Sequence, residues 1–453
     1  MMESQTKIIK YSKRGHGLGT LEGRSAQVEV VGSVIGDTLL VELGKKKKRT
    51  FTSTLLKILN PSADRVPPLC QHVGSCGGCT WQQKSYPAQL ATKQTHVAAL
   101  FKQEPLPITP CDEPWHYRNK MEFTFSQNKE GERYLGLIIA RSKGRVLNLE
   151  ECHLTNPWFI DVLKAVRTWW EGTNLKAYHA YTDTGTLRTL TLREGKSTGE
   201  KMVILTISGN HDYCIHKTAL DSFKEAVQKT LPHENPSLFL RIHRIAKGKP
   251  SEFYEMHLGG PDLIHETLHV KEKALNFSIS PDSFFQPNPV QAEKLFTRAL
   301  EIAAPKPTDI VLDLYCGTAT LGIVFAPYVK KVVGIELSPY AVCDAELNIA
   351  ANNLTNITVH KGDVGAYLSE VLAPPNLAII DPPRSGLTPT ALTHLLRLAP
   401  QKILYISCNP TTQSENISTL LAQGYTLKTL QPVDQFPHTP HIENIAFLER
   451  HPL

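Results

Sequence analysis

Residues 284–453 predict an α/β, Rossmann-like fold, preceded by a small β-barrel and a β-rich middle. Three observations carry this. After about residue 285, apolar strands (IVLDLYCG, VVGIELS, ITVHKGD, LAIIDPP, ILYISCNP) alternate with helix-sized segments, the grammar of βαβ units and a doubly wound parallel sheet. Residues 7–59 alternate short apolar runs with Gly-rich turns and show no helix-length period. From about 115 to 280 the runs KMEFTFS, YLGLIIA, LRTLTLRE, KMVILTIS and LFLRIHRI read as strands. Two helices are expected among them, near 157–170 and 217–230. The divisions are 1–61, 62–283 and 284–453.

The first part, with Val28, Val30 and then Leu40, Val41, Leu43 on period-two faces, reads as a closed barrel of the oligonucleotide-binding type. It holds eleven Lys or Arg against five Asp or Glu, an excess of six that equals the net charge of the whole chain. A basic module on a neutral body suits a polyanion partner, although a lysine run also serves solubility. NPSADRVPPL marks a linker at 60–69. YPAQLATKQTHVAALF follows as a helix with Leu90, Val97 and Leu100 on one side. Residues about 82–113 are expected to pack on the last domain. Trp115, Tyr117 and Phe123, interleaved with Arg118 and Lys120, are candidates either to stack on bases or to fill the core.

The totals agree. The 453 residues suit roughly three domains, and 41% hydrophobic with 20% charged residues is an ordinary globular balance. The start MMESQTKIIKYSKRG has no apolar signal region, and no apolar run approaches the ~18 residues of a membrane span. A cytoplasmic protein without membrane attachment is therefore expected. Nine cysteines, an odd count, argue for metal-binding or catalytic thiols over a disulfide framework. Cys70-x5-Cys76-x2-Cys79 offers three ligands in Gly-rich, polar surroundings, with Cys152 as the candidate fourth. Spacing leaves zinc and an iron–sulfur cluster equally open. Cys111, Cys214, Cys316 and Cys343 read as ordinary thiols.

Ligands of doubly wound sheets sit outside the carboxyl ends of the strands, and here those ends deliver Asp313, Glu336, Asp363, Asp381 and Cys408. Asp313-Leu-Tyr-Cys-Gly317 leads through a small-residue turn into a helix, and Glu336 is placed to hold ribose hydroxyls. No G-x-G-x-x-G is present, so a nucleoside such as S-adenosylmethionine fits better than a dinucleotide. Asp363 is then a candidate acceptor for the adenine amino group. Each acid alone reads equally as a helix N-cap.

Asp381-Pro-Pro-Arg-Ser-Gly386 forms a stiff loop that can press on a flat base, as in amino-group methyltransferases. Those need no thiol, whereas Cys408 ends the next strand. Alone it reads as a packed core cysteine. Beside that loop it suits methylation of a uracil carbon, where a thiolate adds to C6 to make C5 electron-rich. A base must then take the C5 proton. Glu443, opening the final apolar strand near His438 and His441, is the candidate, though alone it reads as a solvated carboxylate.

The ordered set FFQPN (284–288), DLYCG (313–317), GIE (334–336), DPPRSG (381–386), ISCNP (406–410) and HIEN (441–444) closely resembles the RNA uracil-C5 methyltransferases. The N-terminus resembles a TRAM domain. The resemblance implies a class I methyltransferase domain with Cys408 as nucleophile and Glu443 as base. Asp381, with Gln286, Tyr315, Gly317, Thr320, Glu336 and Asp363, would line the S-adenosyl-L-methionine and uracil pockets. Ala319 departs from the family's usual second glycine. The 23S ribosomal RNA branch resembles this chain further, which implies a [4Fe–4S] cluster on Cys70, Cys76, Cys79 and Cys152, and 23S ribosomal RNA as partner. A flipped uridine, phosphate contacts from Lys45–Arg49 and a monomer complete the expectation. The competing readings are a transfer-RNA loop uridine, an amino-group methyltransferase and a non-catalytic iron–sulfur RNA-binding protein.

Overall fold

The computed structural model describes residues 2–21, 26–245, 248 and 251–450. Strands β1 (Met2–Tyr11), β2 (Gly17–Leu21), β3 (Gln27–Val30), β4 (Thr38–Lys47) and β5 (Thr50–Asn60) close a barrel in the order β1-β2-β3-β5-β4. Alternation turns Ile8, Val28, Val30, Leu39, Val41 and Leu43 inward. Leu39 takes the inward place that the sequence pattern suggested for Leu40, which is only half-buried. Gly17 is needed for closure, because a Cβ there would meet Ser33 Oγ at 2.1 Å. The cations Lys45–Arg49 stand exposed at the β4–β5 hairpin.

Helix α1 (Tyr86–Phe101) follows, then β6 (Lys120–Gln127), β7 (Arg133–Ile138), β8 (Val146–Asn148), α2 (Trp158–Glu171), β9 (Leu187–Glu194), β10 (Lys201–Ser208), α3 (Lys217–Thr230), β11 (Ser237–Arg244) and β12 (Glu252–Gly259). The strands form one sheet, β12-β11-β10-β9-β6-β7-β8. Its core joins Phe123, Leu190 and Val203 to Phe159, Trp170 and Phe223 from α2 and α3. Phe123 and Tyr117 are buried, so neither can stack on a base. Arg141 ties this sheet to the barrel, donating to Glu29 and to the Ser53 carbonyl.

The hairpin β13 (Ile264–Val270) and β14 (Lys273–Ile279) packs on the last domain, and one continuous core runs from Met202 and Ile204 through Phe277 to Phe296 and Leu404. That domain comprises α4 (Pro289–Ala303), β15 (Ile310–Leu314), α5 (Thr320–Phe325), β16 (Lys331–Glu336), α6 (Pro339–Ala351), β17 (Ile357–Lys361), α7 (Val364–Glu370), β18 (Leu377–Ile380), α8 (Pro389–Leu398), β19 (Lys402–Ser407), α9 (Pro410–Ala422), β20 (Tyr425–Val433) and β21 (Glu443–Arg450). Sheet order is β17-β16-β15-β18-β19-β21-β20. Strand order reverses between β15 and β18, which opens a crevice at the carboxyl edge. β21 is antiparallel to both its neighbours, so it brings its first residue to that same edge. Helix α1 lies against α9 and β20, where the buried Lys93 pairs with Asp434. No helix of the described residues is long and apolar enough to cross a membrane.

Candidate active site

The turn after β15 is built from left-handed backbone, with φ of 63° at Tyr315, 54° at Gly317 and 60° at Ala319. Its amides are fixed by the two neighbouring acids. Gly317 N–H donates to Glu336 Oε2 at 3.0 Å and Ser338 N–H to Oε1 at 2.8 Å. Each carboxylate oxygen keeps lone-pair capacity for a ligand hydroxyl. Asp313 behaves differently from the strand-end reading. It is 1% exposed, it accepts Gly322 N–H at 2.8 Å, and burial pushes its pKa up to about 8. It clamps the turn onto α5 and is closed to a ligand. Asp363 caps α7 through Ala366 N–H at 3.0 Å and stands exposed. Its charge, after burial, helps raise the Tyr315 phenol. Thr320 opens α5, its hydroxyl 3.2 Å from that of Thr318.

Across the crevice, Ser407 pairs with Asn444 as the last rung between β19 and β21; Cys408 follows the one, Glu443 precedes the other, and the Glu443 charge is felt at Cys408. Gln413 of α9 locks that end, donating to the Tyr405 and Asn444 carbonyls at 2.8 and 3.1 Å and accepting from Asn444 Nδ2 at 2.8 Å. The 381–386 loop is bound to the Cys408 turn, since Asn409 Nδ2 and Thr412 Oγ1 both donate to the Arg384 carbonyl. Gly386 permits this approach, because a Cβ there would lie 2.7 Å from Asn416 Oδ1 at a φ of +77°.

Burial dominates the electrostatics. It lifts Asp381 to about 7. Glu443, 5% exposed, is raised well above the carboxylate range by burial and then by Asp381, with Arg384 opposing. Cys408 rises to about 11 through burial and Glu443, while the charge and hydrogen bond of Arg384 pull it back. Arg384 therefore opposes the cost of burial at both Cys408 and Glu443. The sequence carried it in plain view within DPPRSG, but nothing local distinguishes it from a solvated loop arginine.

Gln286 lies on the neighbouring wall, its Oε1 accepting from Gln435 Nε2 at 3.3 Å and its carbonyl from Asn119 Nδ2 at 3.2 Å. Cys70, Cys76, Cys79 and Cys152 are remote from Cys408 in sequence but share one cavity of about 280 Å³ with His72, Met121 and Leu137. Burial raises Cys76 to about 11 and Cys79 to about 12, and each also feels Cys70 and Cys152. A cationic centre would reverse that penalty. No three ligand side chains among the described residues converge as a single ion requires.

With this geometry in view, the likenesses are informative. The family described as tRNA (Uracil-5-)-methyltransferase matches residues 85–364 and 375–451. An uncharacterized RNA methyltransferase of Protochlamydia amoebophila is 48% identical over 440 residues, covering 93% of this chain and 99% of its own. One from Caldanaerobacter subterraneus is 34% identical over 457 residues, 98% of each. Among solved structures, Pyrococcus abyssi tRNA (uracil-54, C5)-methyltransferase in complex with S-adenosyl-L-homocysteine superposes with a TM-score of 0.75. It is 26% identical, covering 98% of this chain and 99% of that one.

Proposed function

The chain belongs to the tRNA (uracil-5-)-methyltransferase family, and from that premise we propose a covalent route for methylating C5 of a uridine, with Cys408 as nucleophile and Glu443 as base. The observation that supports it is that β19 and β21 pair up to Ser407 and Asn444, the neighbours of Cys408 and Glu443, and that the Glu443 charge is felt at the Cys408 thiol. Cys408 gives its thiol proton to water and adds to C6, and the ring electrons collect at C5 and O4. S-adenosylmethionine, held by Glu336 and the 315–320 turn, supplies the sulfonium methyl group that C5 takes. Glu443 then removes the C5 proton, and the electrons of that bond restore the C5–C6 double bond and expel the Cys408 thiolate. A carboxylate with a high proton affinity suits this last step. Arg384 supplies the cation that opposes the cost of the thiolate, and Asp381 and Gln286 face the base. The uridine must leave its stack to reach Cys408.

The four cysteines suit a [4Fe–4S] cluster. Thiolates on zinc at ~2.3 Å would crowd within about 4 Å of one another, whereas these border a cavity, as ligands of a larger group do. The likeness of the four-cysteine pattern to the 23S ribosomal RNA branch favours 23S ribosomal RNA as substrate, bound by a monomer. One observation favours a transfer-RNA loop uridine: a transfer-RNA enzyme is matched along 98% of this chain, so length and architecture do not separate the two.

The test mixes protein and S-adenosylmethionine with 5-fluorouridine-substituted RNA, because fluorine at C5 cannot leave as a proton. A denaturation-stable adduct with a 23S fragment, absent in Cys408→Ala, is expected. An adduct with transfer RNA alone overturns the substrate. Methyl transfer to uridine with no adduct on either overturns the covalent route.

A further inference from the structure

The segment between β20 and β21, which delivers Glu443, is held from outside its own domain. Lys93 reaches Asp434 and the Phe436 carbonyl, and Tyr117 Oη donates to the Pro437 carbonyl at 3.1 Å. Gln89 Oε1 takes the His438 N–H at 2.8 Å. His438 itself sits in left-handed backbone, φ 64°, a conformation that needs outside support in a residue with a Cβ.

Two further arms supply that support, and both begin at the four-thiol site. From Cys79, the next two residues, Thr80 and Trp81, each donate a backbone N–H to the His438 carbonyl at 3.0 Å. From Cys152, the next residue, His153, meets Trp115 edge-on with centroids 6.2 Å apart, and Trp115 stacks on the His438 ring at 3.8 Å and 22°. The arms are 73 residues apart along the chain at their cysteines (79 to 152). They grip one residue, five positions before Glu443.

We propose that the four-thiol site is a splint for the catalytic base: a group bound by Cys79 and Cys152 joins the two arms, fixes His438 between Thr80–Trp81 and Trp115, and thereby sets the position of Glu443. This rests on the reading of Glu443 as the base and of the four thiols as cluster ligands. Trp115 and His438 are then positioning residues, which act on proton removal through the placement of Glu443. Cross-linking the arms acts as any long-loop closure does, by removing alternative placements of the segment.

Amide hydrogen exchange on anaerobically purified, iron-loaded enzyme tests this directly. Chelating the iron is expected to speed exchange over 434–443 by at least tenfold and to leave 402–407 of β19 unchanged. Iron-loaded Trp115→Ala, with wild-type iron content and visible absorbance, is expected to loosen the same segment. With S-adenosylmethionine and ordinary uridine RNA it should also accumulate several-fold more covalent Cys408–RNA adduct, as is expected of Glu443→Gln, because elimination waits on the C5 proton. Unchanged exchange over 434–443 in either the chelated enzyme or Trp115→Ala overturns the splint and leaves the base assignment standing. Failure of Glu443→Gln to accumulate adduct overturns the base assignment instead, and the catalytic half of this proposal with it. Protein isolated without iron on these thiols overturns the cluster reading.

Discussion

Replacing Asp313 with asparagine should stabilise the ligand-free protein, and by more as the pH rises. Asp313 has one oxygen on Gly322 N–H and the other buried without a partner. Burial, outweighing that hydrogen bond and reinforced by Asp381 and Glu336, pushes its pKa up to about 8. In the unfolded chain the same group ionises near 4. Between pH 5 and 7 the native carboxyl thus holds a proton that the unfolded chain has released. Wild-type stability must fall as pH rises through that window, by about 1.4 kcal/mol per unit from this group. Asparagine does not titrate. Any fixed cost of the amide is the same at both pH values and cancels, so the variant should gain about 2.7 kcal/mol on wild type between pH 5 and pH 7.

The assay must see the right domain. All five tryptophans lie between residues 81 and 170, and Trp81 and Trp115 touch the last domain at His438, so their fluorescence mixes signals from more than one domain and does not isolate the β15–β16 region. Urea unfolding with pulsed hydrogen exchange over residues 310–336 does. A difference between variant and wild type that stays constant from pH 5 to pH 7 would show that Asp313 is already ionised in the native state, and the burial argument would fail. As a clamp rather than a ligand contact, Asp313 should also tolerate asparagine with KM for S-adenosylmethionine within about threefold. A hundredfold loss would restore it to the ligand set.

Asp381, raised to about 7 by burial, accepts with both oxygens only when ionised, so kcat/KM should climb with pH through about 7; Asp381→Asn should lose at least ~10²-fold and lose the part of the rise centred near 7, keeping the rise at higher pH that Cys408 and Glu443 impose, checked by a pH–rate profile on RNA. Lys93→Met strands the buried Asp434 carboxylate and should cost about 3–5 kcal/mol in chemical denaturation, with Lys93→Met/Asp434→Asn recovering part of it.

What the sequence disclosed depended on how local the physics was. Helices α1 and α3 were legible because helical spacing is a near-neighbour property, although α1 buries Gln89, Lys93 and Val97 and leaves Leu90 and Leu100 only half-buried. The strand-end acids were legible as a set, but not by role. Glu336 holds the turn amides and keeps lone pairs free, while Asp313 turns under α5, and an acid at a strand end carries no mark of which way it points. Phe123 and Tyr117 stand among cations as an RNA-stacking surface would, yet a half-buried strand has the same alternation: helices α2 and α3 claim the face of Phe123, and Tyr117 is turned onto the Pro437 carbonyl. The Cys408–Glu443 pair arises because β21 inserts antiparallel between β19 and β20, a tertiary choice that no period reveals. The splint on His438 joins residues more than 300 positions apart along the chain and is wholly invisible in one dimension.

The electrostatics of the site also bear on when it fires. A thiol near 11 leaves roughly three thiolates in ten thousand at pH 7.5, and moving it to 7 takes about 5 kcal/mol. One charge-assisted hydrogen bond from Arg384 contributes roughly 1.5–3 kcal/mol and is already counted in that value. The remaining stabilisation must come with the substrate, as C6 accepts the sulfur electrons and spreads them onto O4. Cys408 is therefore expected to be inert in the free enzyme and nucleophilic only against a seated uracil. Arg384→Gln should shift the pH dependence of Cys408 alkylation by iodoacetamide upward and slow adduct formation with 5-fluorouridine RNA by about 10–100-fold, while leaving S-adenosylmethionine affinity unchanged. Rapid alkylation of wild-type Cys408 at pH 7 would mean that the thiol is pre-ionised. The trigger would then lie in the protein and not in the base it receives.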